Sequence, residues 1–278
     1  MNLAKAQGLG NDFLLMAREA SPPDAPGFAR RVCDRHLGIG ADGLILYSLS
    51  ASGALMQLFN ADGGEAEISG NGLRCLSAFL VSKEWLGAEF TVETGAGPRA
   101  VQVRNIRGRK YRIETDLGRP ILGSHEIPVE LHPAREPVID LAVEAAGRRL
   151  AVTCTSMGNP HCALFLDAPA DDSLVALLGP ALEHHPLFPR RTNVEFVTVV
   201  SPGELRVRFW ERGVGATRSS GTGAASAAVA AAISGRAQRS VRVLCDGGVM
   251  TVDWPEGGSV RQGGEAEVLF EAEWVLGQ

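Results

Sequence analysis

Two glycine-rich segments repeated across the chain constrain its fold more than any other feature. The first reads Ser69-Gly70-Asn71-Gly72 and leads into LSAFLVSKEWL; the second, 151 positions later, reads Ser220-Gly221-Thr222-Gly223 and leads into AAVAAAISG. Each follows a short apolar segment and a polar loop, MQLFNADGGEAEI in one case and LRVRFWERGVGATRS in the other, so Asn60 aligns with Glu211 and Ala61 with Arg212. The beginnings of the halves also correspond: Gly10-Asn11-Asp12-Phe13 matches Gly158-Asn159-Pro160-His161, and each precedes an apolar run. Self-similarity at such a spacing points to duplication of one structural unit. The order predicts an α+β chain of two similar lobes in a pseudo-twofold arrangement, with the site between them. At 278 residues the chain is long enough for two modest cores.

The expected division assigns residues 1–117 to an N-terminal lobe and 118–264 to a C-terminal lobe, with 265–278 returning to the first as a strand. The Pro-bearing stretch Gly118 to Pro137 is the expected crossover. QVRNIRGRKYRIETDL reads as a hairpin about Arg107-Gly108, and ELRVRFWE alternates with the period of a strand. The helix expected from Gly221 to about Gly235 is nearly all alanine, serine and valine, which implies close packing on every side.

Several function classes drop out. A net charge of −5 with dispersed arginines gives no phosphate-tracking stripe, so no nucleic-acid partner is expected. No segment has the apolar length of a membrane span, the first residues lack a secretory layout, and five scattered cysteines make no disulfide framework. A reducing cytoplasm is expected. Cys33, Cys75, Cys154, Cys162 and Cys245 do not fall at zinc-ligand spacing and His184-His185 are adjacent, so no metal is assigned. Gly38-Ile39-Gly40-Ala41-Asp42-Gly43 fits the dinucleotide fingerprint by letter, but a helix-like segment (Pro26 to His36) precedes it and a strand-like one (LILYSL) follows, the reverse of the required order. The three lysines, Lys5, Lys83 and Lys110, stand in no motif that suggests a pyridoxal Schiff base.

A Ser-Gly-X-Gly turn opening a helix directs backbone N–H groups at the positive end of the helix dipole, a ready site for a carboxylate. Serine is also among the favoured N-caps, so Ser69 and Ser220 read equally as caps. The polar loops that recur at the same distance upstream favour a binding role, because capping does not require them.

Six segments in order, QGLGNDF, DRHLGIGADG, FNADGGEAEISGNGLRC, MGNPHC, RRTNVEF and ERGVGATRSSGTG, resemble the motif set of the diaminopimelate epimerases across nearly the whole chain. The resemblance implies two pseudo-symmetric lobes, each a curved sheet or barrel around a central helix. It also implies a cofactor-free, pyridoxal-independent isomerase that interconverts L,L- and meso-diaminopimelate for lysine and peptidoglycan synthesis, working as a homodimer on a small amino-acid substrate. In that family two cysteines facing each other across the substrate move the α-proton, and they stand where this chain has Ser69 and Ser220. A thiol ionises near pH 8.5, lower at a helix N-terminus, whereas a serine hydroxyl is a far weaker acid that needs an adjacent base.

By the same resemblance Asn11, Asn60, Asn159, Asn193, Glu211 and Arg212 contact the substrate. Backbone amides of Gly70 and Asn71, and of Gly221 and Thr222, hold its carboxylates, and His161 and Glu211 flank the reaction centre. Each has a plainer reading: Asn11 and Asn159 as corner residues, Asn60 as a turn, Arg212 as a solvated charge and His161 as a hydrogen-bonded core histidine. The paired serines fit an epimerase with altered or silenced acid–base groups. They also fit a divergent cofactor-free isomerase of another small acid, as in the related phenazine-biosynthesis isomerases, or a non-catalytic amino-acid-binding protein.

Overall fold

The computed structural model describes residues 1–275, apart from the side chains of residues 105 and 106. Its internal contacts divide it into two compact units, Met1–Asp116 with Gly263–Gln278, and Leu117–Gln262.

Unit 1 runs β1 (Asn2–Gly8), β2 (Asn11–Ala17), α1 (Ala25–Cys33), β3 (Gly43–Ser50), β4 (Gly53–Asn60), β5 (Glu65–Ala66), α2 (Gly70–Ser82), β6 (Glu89–Thr94), β7 (Gly97–Arg107) and β8 (Lys110–Asp116). Unit 2 repeats the plan with β9 (Val138–Ala145), β10 (Arg148–Ser156), β11 (Pro160–Phe165), α3 (Asp172–Glu183), β12 (Asn193–Ser201), β13 (Glu204–Glu211), β14 (Gly215–Thr217), α4 (Gly221–Ile233), β15 (Ser240–Cys245) and β16 (Gly248–Asp253). The final strand, β17 (Arg261–Glu273), pairs antiparallel with β1 and also with β8. It begins a few residues ahead of the segment read from the sequence, and residues 276 to 278 lie outside the described residues.

The pairings of the units match strand for strand. In unit 1, β1–β2 is antiparallel, β2–β3 parallel, β3–β4 antiparallel, β4–β6 parallel and β6–β7 antiparallel. In unit 2 the same senses recur for β10–β11, β11–β12, β12–β13, β13–β15 and β15–β16. The β7–β8 and β8–β17 pairings close unit 1 into a barrel. The expected α+β duplication is therefore present as topology.

Each unit wraps a helix. Residues 70–80 of α2 and 221–231 of α4 are all buried, which suits a helix apolar all round. In unit 1, Leu73, Leu76 and Leu80 pack with Phe13, Leu15 and Ile45 on the inner strand faces, while α1 lays Phe28 and Val32 over Leu14, Leu44 and Leu46 on the outer faces. Cover on both sides explains the unbroken apolar run Phe13-Leu14-Leu15-Met16. In unit 2, α3 packs Val175, Leu178 and Leu182 against Leu164, Val194 and Phe196. The stretch expected as a plain crossover is folded onto unit 2, with Ile127 and Val129 in its core and a bridge from Ile121 to Ser156.

Both Gly-Asn corners require their glycine: Gly10 has φ of 82° and Gly158 of 101°, a region that side chains disfavour. Among the described residues no helix is long and apolar enough to cross a membrane.

Candidate active site

In unit 1 the extended residue Ser69 (φ −132°, ψ 123°) caps α2, its Oγ accepting from the Gly72 amide at 3.1 Å. The first intrahelical bond runs from Leu73 N to Ser69 O at 2.8 Å, so the amides of Gly70 and Asn71 have no acceptor within the helix. Gly72 sits in close packing: a Cβ there would stand 3.1 Å from Ile45 Cδ1. The Asn11 side chain donates through Nδ2 to Asp42, and its Oδ1 accepts from Asn71 Nδ2 at 3.4 Å. Arg74, fully buried on α2, donates to Asn71 Oδ1. Asn60 is exposed at the end of β4, opposite Gly43, where its main chain closes a turn with Gly63 and Gly64.

Asp42 belongs to a charged cluster. Arg35 bridges Asp12 at 2.7 Å and Asp42 at 2.8 Å, and Lys5 reaches Asp12 at 2.9 Å. Burial alone would push the Asp12 carboxyl up, but the hydrogen bonds from Arg35 and Lys5 outweigh it and hold the group at about 2.

In unit 2 the same cap recurs. Ser220 (φ −136°, ψ 125°) accepts from the Gly223 amide at 3.3 Å, ahead of the amides of Gly221 and Thr222. It differs from Ser69 in donating its hydroxyl to Glu211 Oε2 at 3.0 Å. Asn159 Nδ2 donates to Thr222 Oγ1 at 3.4 Å, the counterpart of the Asn71–Asn11 contact. Asn193 ties two segments together: its Nδ2 donates to Pro160 O at 2.8 Å, and its Oδ1 accepts from the Arg212 amide at 3.0 Å. The Arg212 side chain is exposed and donates to Arg190 O.

His161 is buried. Its Nδ1 lies 2.7 Å from Glu195 Oε1 and its Nε2 lies 2.9 Å from Asn159 Oδ1. Both ring nitrogens are thus engaged by protein, and His161 reaches the start of α4 through Asn159. Burial, reinforced by the Glu211 charge, raises the Glu195 carboxyl above its ordinary value against the pull of His161.

Each unit thus gathers most of the residues singled out from its half of the sequence. Asn11, Ser69, Gly70 and Asn71 meet in unit 1; Asn159, His161, Asn193, Glu211, Ser220, Gly221 and Thr222 meet in unit 2, with the Arg212 main chain. Sequence reasoning missed Glu195 and Glu183. The latter is buried and accepts from Trp210 Nε1 at 2.7 Å and from the Gly213 amide at 2.9 Å, bracing the turn that follows Glu211. Glu195 lay in view within RRTNVEF, and a charge inside an otherwise apolar strand was the available signal.

Three of the buried cysteines are held as thiols. Burial raises Cys33 and Cys75 to about 12, and a hydrogen bond with Cys154 together with burial puts Cys162 well above the ordinary thiol value.

Solved structures share this architecture. A probable proline racemase from Agrobacterium radiobacter K84 superposes with a TM-score of 0.72 at 14% identity, covering 99% of this chain and 93% of its own. A predicted epimerase from Pseudomonas aeruginosa gives 0.71 at 16%, covering 99% of both chains. At such identity the likeness establishes the fold. Sequence narrows the class: the chain belongs to the diaminopimelate epimerase family, whose profile, Diaminopimelate epimerase, matches residues 3–122 and 153–269. The diaminopimelate epimerase of Desulforudis audaxviator is 46% identical over 284 residues, spanning 99% of each chain. The family is one of amino-acid isomerases.

Proposed function

We propose that this chain binds diaminopimelate at the starts of α2 and α4, and that Ser69 and Ser220 occupy the two positions from which an epimerase removes and returns the α-proton. The observation that carries the reading is the matched pair of helix starts. Each has an extended serine cap followed by two amides that precede the first bond into the helix, at the positive end of its dipole, which suits a substrate carboxylate. The leading amides are those of Gly70 and Asn71, and of Gly221 and Thr222. Asn11, Asn60, Asn159, Asn193, Glu211 and Arg212 complete the substrate contacts. The interconversion of L,L and meso forms needs no pyridoxal on this reading, and the working unit is a cytoplasmic homodimer.

Serine makes both positions poor acid–base groups, and it does so unequally. The Ser220 hydroxyl has a carboxylate, Glu211, 3.0 Å away to take its proton. Ser69 Oγ accepts the same kind of cap bond, from the Gly72 amide, but among the described residues its hydroxyl makes no bond to a carboxylate. This favours a second reading in which residual proton exchange is confined to the Ser220 face, giving α-proton exchange without net inversion.

Solvent deuterium exchange into diaminopimelate, with chiral analysis of the product, tests both. Slow or one-sided exchange is expected for the chain as it stands. Full epimerisation is expected for the double variant Ser69→Cys/Ser220→Cys. A double variant that folds and binds diaminopimelate but exchanges no α-proton sinks the assignment of these positions. Failure of the parent chain to bind diaminopimelate redirects the fold to another small acid.

A further inference from the structure

The two units carry different chemistry at one equivalent place beside the helix start. In unit 1 the parallel register pairs Phe13 with Gly43 and Leu15 with Ile45; in unit 2 it pairs His161 with Asn193 and Ala163 with Glu195. Phe13 therefore corresponds to His161, and Ile45 to Glu195. The glycines confirm the match, since a Cβ on Gly72 would meet Ile45 Cδ1 at 3.1 Å and one on Gly223 would meet Glu195 Oε1 at 3.0 Å. A hydrocarbon pair in one unit is a buried histidine and carboxylate in the other.

The hydrogen bonds fix the proton content of that pair. His161 Nδ1 faces a carboxylate oxygen and Nε2 faces an amide oxygen, and both are acceptors. Two protons must fill the two bonds, one more than a neutral imidazole and a carboxylate supply. The pair is then neutral as a whole, whether written as imidazolium with carboxylate or as imidazole with carboxylic acid. Neutrality accords with its burial: each side chain is 1% exposed, and Glu195 Oε2 has no hydrogen-bond partner among the described residues.

We propose that Glu195 is a positioning residue: sharing the extra proton with His161, it locks the Asn159 amide with its carbonyl toward the imidazole and its NH2 edge toward Thr222 at the start of α4. Unit 1 sets its corner asparagine the opposite way, because Asp42 takes the Asn11 NH2 and leaves Oδ1 toward Asn71. The α2 start thus meets an amide acceptor and the α4 start an amide donor. Two helix starts of the same backbone geometry become chemically distinct, as discrimination between the ends of an amino-acid ligand requires. The consequence for ligands rests on the functional reading above; the proton on His161 does not.

The first test is nitrogen-15 NMR of the histidine side chains in the full ligand-free chain near neutral pH, with His161 assigned by its loss in His161→Phe. A protonated Nε2 is expected, and a bare Nε2 overturns the proposal. The second test separates positioning from structure. His161→Phe/Glu195→Ile installs the pair that unit 1 already packs, and it is expected to melt no lower than the parent while meso-diaminopimelate affinity, read by calorimetry, falls roughly tenfold or more. Parent-like affinity in that variant overturns the positioning role. If the parent itself does not bind meso-diaminopimelate, the functional reading fails and the NMR result still decides the proton.

Discussion

Equivalent glycines in the two helix starts provide a quantitative check on how the motif is built. Replacing either Gly72 or Gly223 by alanine adds one methyl inside the first turn of a buried helix, where alanine is intrinsically better than glycine by about 1 kcal/mol. The surroundings decide the sign. At position 72 the new Cβ meets Ile45 Cδ1 at 3.1 Å and Met56 Cε at 3.3 Å, the far ends of flexible side chains that yield by a few tenths of an ångström. At position 223 it meets Phe209 Cδ1 at 2.9 Å and Glu195 Oε1 at 3.0 Å. The Phe209 ring is buried and the Glu195 carboxyl is held by His161 at 2.7 Å, so neither moves freely. Overpacking costs about 1–3 kcal/mol. Gly72→Ala is therefore expected to be near neutral, and Gly223→Ala to lose up to about 2 kcal/mol net. A loss of about 2 kcal/mol corresponds to a fall of roughly 4–8 °C in the unit 2 transition. Calorimetry or urea unfolding with probes in each unit reads the difference. Equal losses at the two positions, or a stabilised Gly223→Ala, would refute the packing account of the motif's second glycine.

The other expectations concern protons. The Asp12 carboxyl is held at about 2, below its unfolded value of 3.8, so its contribution to stability is complete above pH 3.8 and fades as pH falls toward 2. With allowance for partial solvent screening the contribution is about 1–2 kcal/mol. Acid titration of stability in Asp12→Asn should be correspondingly flatter between pH 4 and 2; an unchanged slope would show that the Lys5–Asp12–Arg35 cluster does not hold that proton. Native-state alkylation near pH 8 should label the half-exposed Cys245 first and spare Cys33, Cys75 and Cys162, which are buried with raised thiols. Early modification of Cys75 would contradict the enclosed environment of α2.

Local pattern made much of this protein legible. The duplication, the strand character of Glu204–Glu211 and the hairpin near Gly108 followed from repeats, period-two alternation and turn residues. Around the dinucleotide-like glycines the helix-then-strand order expected from the sequence is the observed one, with α1 before them and β3 after. The Gly118–Pro137 stretch was less legible. Its prolines read as a linker, whereas the burial of Ile127 and Val129 depends on partners far along the chain.

At the site, the sequence alone determined which residue types stand at the two helix starts, a serine ahead of Gly-X-Gly in each, since these are properties of one short segment each. The tertiary structure decided what those residues do to one another. Ser220 acquires Glu211 as a hydrogen-bond partner because β13 and the β14 loop return beside α4, and Ser69 makes no matching bond to a carboxylate among those described. His161 becomes a buried, doubly bonded imidazole because the parallel register of β11 and β12 brings Glu195 to it across 34 residues. Such contacts follow from strand register and from the depth of a helix inside its barrel. No local periodicity encodes either, so two segments that look equivalent as sequence differ once folded.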